Sequence, residues 1–439
     1  MSEEMLYIRG GRIIDPASGL DATGDVVVVD GMIREVSMKP GSPSRKCRVI
    51  DAEGCIIAPG LIDLHVHLRE PGHTHKETIA TGCAAAVAGG FTTICCMPNT
   101  QPPLDSVGTI NQIRERSGAA GLARVFAVAA ATEGRKGERV GSLAALSEAG
   151  AVAFSDDGEC IMNAKVMRDV LMMCAEVNRP FMQHCQDHDL APRDASMNAG
   201  MLATRLGLVG WPAIAEEIII ERDIHLNRAI GARYHVQHMS SGDSAELVRT
   251  ARNAGQSVTA EASPHHLLLT EDACSGFDTN AKMNPPLRTP RDVQALRQAV
   301  ADGVITILAT DHAPHTSDEK GRDFVTAPFG IIGLECALPL YCQALIDSGA
   351  IDWTRLIALM TIEPARLLRL DALGIGNLEA GGPADITVID PDLEWTVDAS
   401  QFKSLSRNCP FDGWTVRSKA IATIVAGKIV AEDARVAAR

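Results

Sequence analysis

The chain has 439 residues, 46% hydrophobic and 22% charged, a composition that supports a large buried core and excludes a disordered chain. Its formal charge of −14 disfavours the phosphate backbone of a nucleic acid or an anionic bilayer as a partner, and no apolar run is long enough to span a membrane. The twelve cysteines include no C-x-x-C pair, so reduced thiols are expected rather than a disulfide framework; the acidic start Met-Ser-Glu-Glu-Met lacks a secretory pattern, which points to the cytoplasm.

Residues 4 to 58 read as short strands, Leu6–Arg9, Asp25–Val29, Met32–Val36 and Cys55–Ile57, with Asp30-Gly31 as a two-residue hairpin turn. Similar strands recur at Asp385–Ile389, Glu394–Val397 and within 422–431. Isolated hairpins are marginal, so the two ends are expected to pair into one β-sandwich domain, residues 1–58 with 370–439.

From 59 to 369 the pattern alternates. A strand ending in Asp63-Leu-His-Val-His-Leu-Arg69 precedes a small-residue helix, Ile79–Ala88, closed by Gly89-Gly90. Strands follow at Phe91–Met97, Ala123–Ala131, Ala151–Ser155, Pro180–Cys185, Arg233–Met239, Ser257–Ala262 and Val304–Thr310, separated by helices within 106–117, 140–149, 164–177, 212–230, 245–254 and 291–301. Eight strand–helix units make a closed (β/α)8 barrel the economical fold. An open doubly wound sheet would call for a glycine-rich phosphate turn, and Gly89-Gly90 lacks the G-x-G-x-x-G spacing.

Barrel chemistry gathers at the C-terminal ends of the strands. Those ends carry His65 and His67, Asp156-Asp157, His184, His238 and Asp311. In a strand, His65 and His67 point the same way, about 7 Å apart, with Asp63 and Arg69 at the same parity. Imidazoles with carboxylates suit a borderline divalent cation such as zinc. Taken singly, His184 reads as a core histidine and Asp156-Asp157-Gly158 as a turn; their joint placement carries the reading. His235 is assigned to packing or support, His265-His266 to a hydrogen-bonded loop, and His73, His75, His188 and His225 to the surface.

Several motifs, Asp63-Leu-His-Val-His-Leu-Arg-Glu-Pro-Gly72, Met97-Pro-Asn-Thr100, Phe154-Ser-Asp-Asp-Gly158, His238-Met-Ser-Ser241, Asn284-Pro-Pro-Leu287, Thr310-Asp-His-Ala-Pro-His315 and the run 328–335, are similar to those of dihydroorotases of the bacterial type I group in the amidohydrolase superfamily. The resemblance runs from about Met5 to Glu432. It implies zinc, one or two ions, held by His65, His67, Asp157, His184, His238 and Asp311, with Asp311 also the acid/base. It selects Asp157 over Asp156. Many relatives bridge two metals with a carboxylated lysine on strand four; the nearest lysine here is Lys165, so none is expected.

The resemblance further implies reversible cyclisation of N-carbamoyl-L-aspartate to L-dihydroorotate in pyrimidine biosynthesis. Arg69, Asn99 and His315 would hold the substrate carboxylate, and Asn284 with the backbone near Gly330 the ring edge. For Asn99, a turn residue after Pro98 is the competing reading. Residues 316–324, charged and containing Gly321, are expected to form a mobile lid. The rivals are a hydantoinase-like or allantoinase-like amidohydrolase, which should lack Arg69 and carry the lysine, and a silent dihydroorotase-like subunit, which should have lost ligands. A homodimer and an aspartate transcarbamoylase partner are left open by the resemblance.

Overall fold

The structure is a computed structural model describing residues 4–39, 41–43 and 47–433. The outermost parts of the terminal domain expected over 1–58 and 370–439, residues 1–3 and 434–439, lie outside the described residues, as do 40 and 44–46.

Both chain ends contribute to one eight-stranded sheet. Its path runs from Lys428–Glu432 through Thr415–Val425, Ile386–Thr396, Ile56–Pro59, Met5–Asp15 and Leu20–Val29 to Met32–Ser37, with Arg48–Asp51 paired to Met5–Asp15. The junction between the two ends is the antiparallel register Ile386↔Pro59 to Ile389↔Ile56. β-Branched side chains dominate the shared core, where Ile8, Ile13, Val26, Val28, Ile50, Ile57, Ile386, Val388 and Ile424 pack together. Asp30 and Gly31 have φ of 48° and 83°, positive at both central positions as a twist-matched hairpin turn requires.

The second sheet is the barrel. Parallel strands Leu61–Val66, Phe91–Cys96, Arg124–Ala129, Ala153–Phe154, Phe181–Gln183, Tyr234–Val236, Val258–Ala262 and Ile307–Leu308 follow one another in chain order. Strand eight returns to strand one through a bridge between Val66 and His312, where His67 N donates to His312 O at 2.9 Å. Helices are set by local signals: Thr78 caps Ile79–Ala88 in a reciprocal capping box with Thr81, and Thr289 with Asp292 does the same for Pro290–Ala301. Gly89 is required by packing, since a Cβ there would lie 2.0 Å from Leu334 O.

Strands four, five, six and eight are shorter at both ends than the sequence predicts, spanning Ala153–Phe154, Phe181–Gln183, Tyr234–Val236 and Ile307–Leu308. An unforeseen excursion, with the short pair Met197–Asn198 and Gly210–Trp211 around helix Met201–Leu206, separates strand five from its helix Ile214–Asn227.

Candidate metal centre and anion subsite

The barrel mouth gathers the six ligand-type side chains. Asp157 sits among four imidazoles: its Oδ1 is 3.3 Å from His65 Nε2, 3.8 Å from His184 Nδ1 and 3.8 Å from His238 Nε2, and its Oδ2 is 3.5 Å from His67 Nε2. Asp311 Oδ1 is 2.9 Å from His67 Nε2 and 3.4 Å from His65 Nε2. Asp156 faces away, accepting from the backbone of Ala131 and Thr132 at 2.9 and 3.1 Å. The neighbouring carboxylates therefore divide the work, one fixing the loop after strand three and the other lying among the histidines.

Three overlapping groups bring ligand atoms within 4.8 Å of one another: His65, His67 and Asp157; His65, His238 and Asp311; Asp157, His184 and His238. His65 Nε2 and His238 Nδ1 are buried with no hydrogen-bond partner among the described residues. An unmade bond on a buried nitrogen is costly, and two such atoms in one cluster of imidazoles and carboxylates are the donor set a divalent cation fits.

Supporting bonds orient the rings. His65 Nδ1 lies 2.5 Å from Glu261 Oε1, which also accepts from His238 N at 3.0 Å, while Glu261 Oε2 meets His235 Nε2 at 2.9 Å. His67 Nδ1 donates to Asn99 Oδ1 at 2.8 Å, leaving Nε2 for the cluster. His184 Nε2 donates to Gln186 Oε1 at 2.9 Å, and its Nδ1 meets His238 Nε2 at 2.8 Å. Ring nitrogens held on their outer side by oxygen acceptors present lone pairs inward.

Burial would raise the carboxyl of Asp157, but the imidazoles of His65 and His67 hold it well below the usual range; Asp311 is lowered in the same way. Burial lowers His65, yet Glu261, Asp311 and Asp157 outweigh it and push the ring well above its ordinary value. His184, buried beside His238, drops to about 4 and is a neutral imidazole.

Beside the cluster is a cavity of about 160 Å³, lined by Arg69, Asn99, Asn284, His315 and Gly330 along with five of the ligand-type residues. His65 is fully buried and does not line it. Arg69 Nε donates to Pro314 O at 3.1 Å and its Nη2 is 3.2 Å from His315 Nε2; burial lowers it to about 10, so it stays cationic at neutral pH. Arg69, His238 and Asp311 have φ of 58°, 30° and 49°, a region costing L-residues roughly 1–3 kcal/mol each and concentrated at functional sites.

Two expectations are corrected. Asp63, His65 and Arg69 do not form one continuous strand face: the register shifts between Asp63 and Val66, the strand ends before Arg69, and Asp63 accepts from His65 N at 3.0 Å and Thr310 N at 3.1 Å, joining strands one and eight. His265 and His266 sit in a buried helix, Pro264–Leu268, not in a loop; His266 Nε2 donates to Pro285 O at 3.1 Å, beside Asn284. Residues 316–324 begin as a capped helical turn, Ser317–Lys320. Lys320 is buried, with Nζ donating to Thr279 O and Pro328 O at 2.8 and 2.9 Å, and Glu319 pairs with Lys76 at 2.9 Å. Lys165 lies on the exposed surface, paired with Asp169 at 2.7 Å.

Sequence reasoning missed Glu261 and Gln186. Glu261 had a signal, an acid inside the apolar run Val258-Thr-Ala-Glu-Ala262, which is expensive to bury without a partner. Gln186 had none.

Comparison with known proteins follows the same lines. A family model described as dihydro-orotase-like matches residues 54–244. Among solved structures, the L-hydantoinase (dihydropyrimidinase) of Arthrobacter aurescens has a TM-score of 0.86 at 25% identity, covering 98% of this chain and 96% of its own. The dihydropyrimidinase of Brevibacillus agri, at 21% identity and a TM-score of 0.84, shares the fold. Dihydroorotases of Geobacter sp. (strain M21) and Syntrophotalea carbinolica are 44% and 45% identical, each over 97% of this chain and over 99% and 98% of their own lengths. Likeness at that level spans the terminal sheet as well as the barrel, and the chain belongs to the dihydroorotase family of cyclic amide hydrolases.

Proposed function

We propose that this protein is a zinc-dependent dihydroorotase of the cytoplasm, interconverting L-dihydroorotate and N-carbamoyl-L-aspartate for pyrimidine biosynthesis. The observation that carries the reading is the adjacency of two unlike devices in one cavity: the cluster around Asp157 and, across the pocket, the Arg69–His315 pair. His65, His67, Asp157, His184, His238 and Asp311 would hold one or two zinc ions. A cation bound there supplies Lewis acidity, polarising an amide carbonyl and acidifying water.

The chain's own residues do the rest. Arg69 offers parallel donors to the substrate carboxylate, with Asn99 and His315 completing its hydrogen bonds. Asn284 and the backbone at Gly330 hold the ring edge and aim the scissile amide at the cluster. Asp311, kept ionised by its imidazole neighbours, takes a proton from the attacking water and returns it to the departing ring nitrogen. In the reverse direction the same carboxylate takes the proton back from the ureido nitrogen as the ring closes. A homodimer and an aspartate transcarbamoylase partner are compatible arrangements of this enzyme.

The test combines metal analysis of the purified protein with hydrolysis assays on L-dihydroorotate, hydantoin and allantoin. Zinc should be present, and dihydroorotate turnover should vanish on chelation and return with zinc. Faster turnover of hydantoin or allantoin than of dihydroorotate would overturn the assignment.

A further inference from the structure

Between strands Ile386–Thr396 and Thr415–Val425 the chain leaves the terminal sheet and crosses to the barrel mouth. The crossing is fastened at several points. Ser404 Oγ donates to Glu77, Leu405 N donates to Glu77 Oε1 at 3.2 Å, and Ser406 Oγ donates to Lys76 O at 2.8 Å. Two residues further, the buried side chain of Asn408 reaches the pocket wall. Its Oδ1 accepts from His315 N at 3.1 Å, and its Nδ2 donates to Ala313 O and to Gly330 O, both at 3.0 Å. Its own carbonyl accepts from Ile332 N at 3.0 Å.

All three side-chain bonds end on residues that line the substrate cavity, and they join two separate loops, 313–315 and 330. Only a primary amide fits this position. It needs two donors for two carbonyls and one acceptor for an amide N–H, all on one short, rigid group. A carboxylate of the same shape would set its charge against the two carbonyl oxygens, and a methyl group would leave three buried backbone groups unpaired.

We infer that Asn408, carried by the terminal sheet's loop, is a positioning residue of the carboxylate subsite. It does not touch the substrate. It sets the spacing between the His315 backbone and the Gly330 edge, so that the His315 imidazole and the Arg69 guanidinium, 3.2 Å apart, converge on one carboxylate. The terminal sheet thereby completes the site from outside the barrel. This inference rests on the reading of Arg69 and His315 as the carboxylate anchor.

The experiment uses the full-length, zinc-loaded protein with Asn408→Asp and Asn408→Ala, assayed with L-dihydroorotate and N-carbamoyl-L-aspartate, with zinc content and thermal midpoint measured alongside. In Asn408→Asp, KM should rise at least about tenfold for both compounds, with kcat within about threefold of wild type and zinc unchanged. Should these variants fail to fold, Asn408→Gln, which keeps the donors and acceptor on a longer arm, should show the same KM-only defect to a smaller degree. Wild-type KM in every folded variant, or a fall in kcat together with zinc loss, overturns the inference alone. No turnover of dihydroorotate by the wild type overturns the functional reading and this inference with it.

Discussion

Glu261 Oε1 sits 2.5 Å from His65 Nδ1 on the buried floor of the barrel mouth, and the same oxygen receives His238 N. One carboxylate on strand seven therefore orients imidazoles from strands one and six. Its carboxyl, which burial would raise, is held far below the ordinary range by His65 and His235. Glu261→Gln keeps the shape and loses the charge that fixes the His65 tautomer. Zinc affinity should fall by about 10–100-fold, measured by competition with a chromogenic chelator. Unaltered affinity would reduce Glu261 to a packing role.

Arg69 is the fixed cation of the pocket. Arg69→Met retains much of the side-chain volume and removes the paired donors. We expect kcat/KM for L-dihydroorotate to drop about a hundredfold or more, with zinc content unchanged. Undiminished turnover would take Arg69 out of the substrate site.

Gly330 has φ of 151°, and a Cβ there would lie 2.5 Å from Ala313 O and 2.7 Å from His315 Cδ2. Neither neighbour can retreat cheaply, since both belong to the wall that Asn408 ties together. Gly330→Ala should cost roughly 1–3 kcal/mol of stability and raise KM, read from thermal unfolding and steady-state kinetics.

Glu335 supplies a pH dependence that lies away from the metal cluster. Its Oε1 accepts from Lys403 N and Ser404 N at 2.7 and 3.1 Å, and burial pushes the carboxyl up from 4.5 to about 7. The folded state thus holds the proton more tightly than the unfolded chain. This group's stabilising contribution is complete below about 4.5 and is lost as pH rises through about 7. Glu335→Gln keeps the accepting oxygen and never ionises. It should be more stable than wild type by about 1–2 kcal/mol at pH 8, with a smaller gap at pH 5.5. Equal differences at both pH values would show that ionisation of Glu335 is not involved.

Much of this architecture was legible in one dimension because the periodicities are strong. Apolar strands alternating with helices eight times make a barrel the economical fold, and Asp30-Gly31 dictates its hairpin through its positive φ values. The ligand types were legible too, since imidazoles and acids at the ends of apolar strands have no cheap structural excuse. Parity did not carry to Arg69, because it holds only while the strand continues and strand one, its register already shifted between Asp63 and Val66, stops at Val66.

What the sequence determined by itself was the list of chemical groups and the strand ends that carry them, properties set by local residue order. Tertiary structure alone decided that Glu261 stands behind His65 and that Asn408, more than ninety positions beyond His315, closes the pocket wall. The physical reason is that a buried hydrogen bond depends on the distance and angle between groups brought together by folding. Nothing in the local order of residues near 408 or 261 encodes where those partners will be.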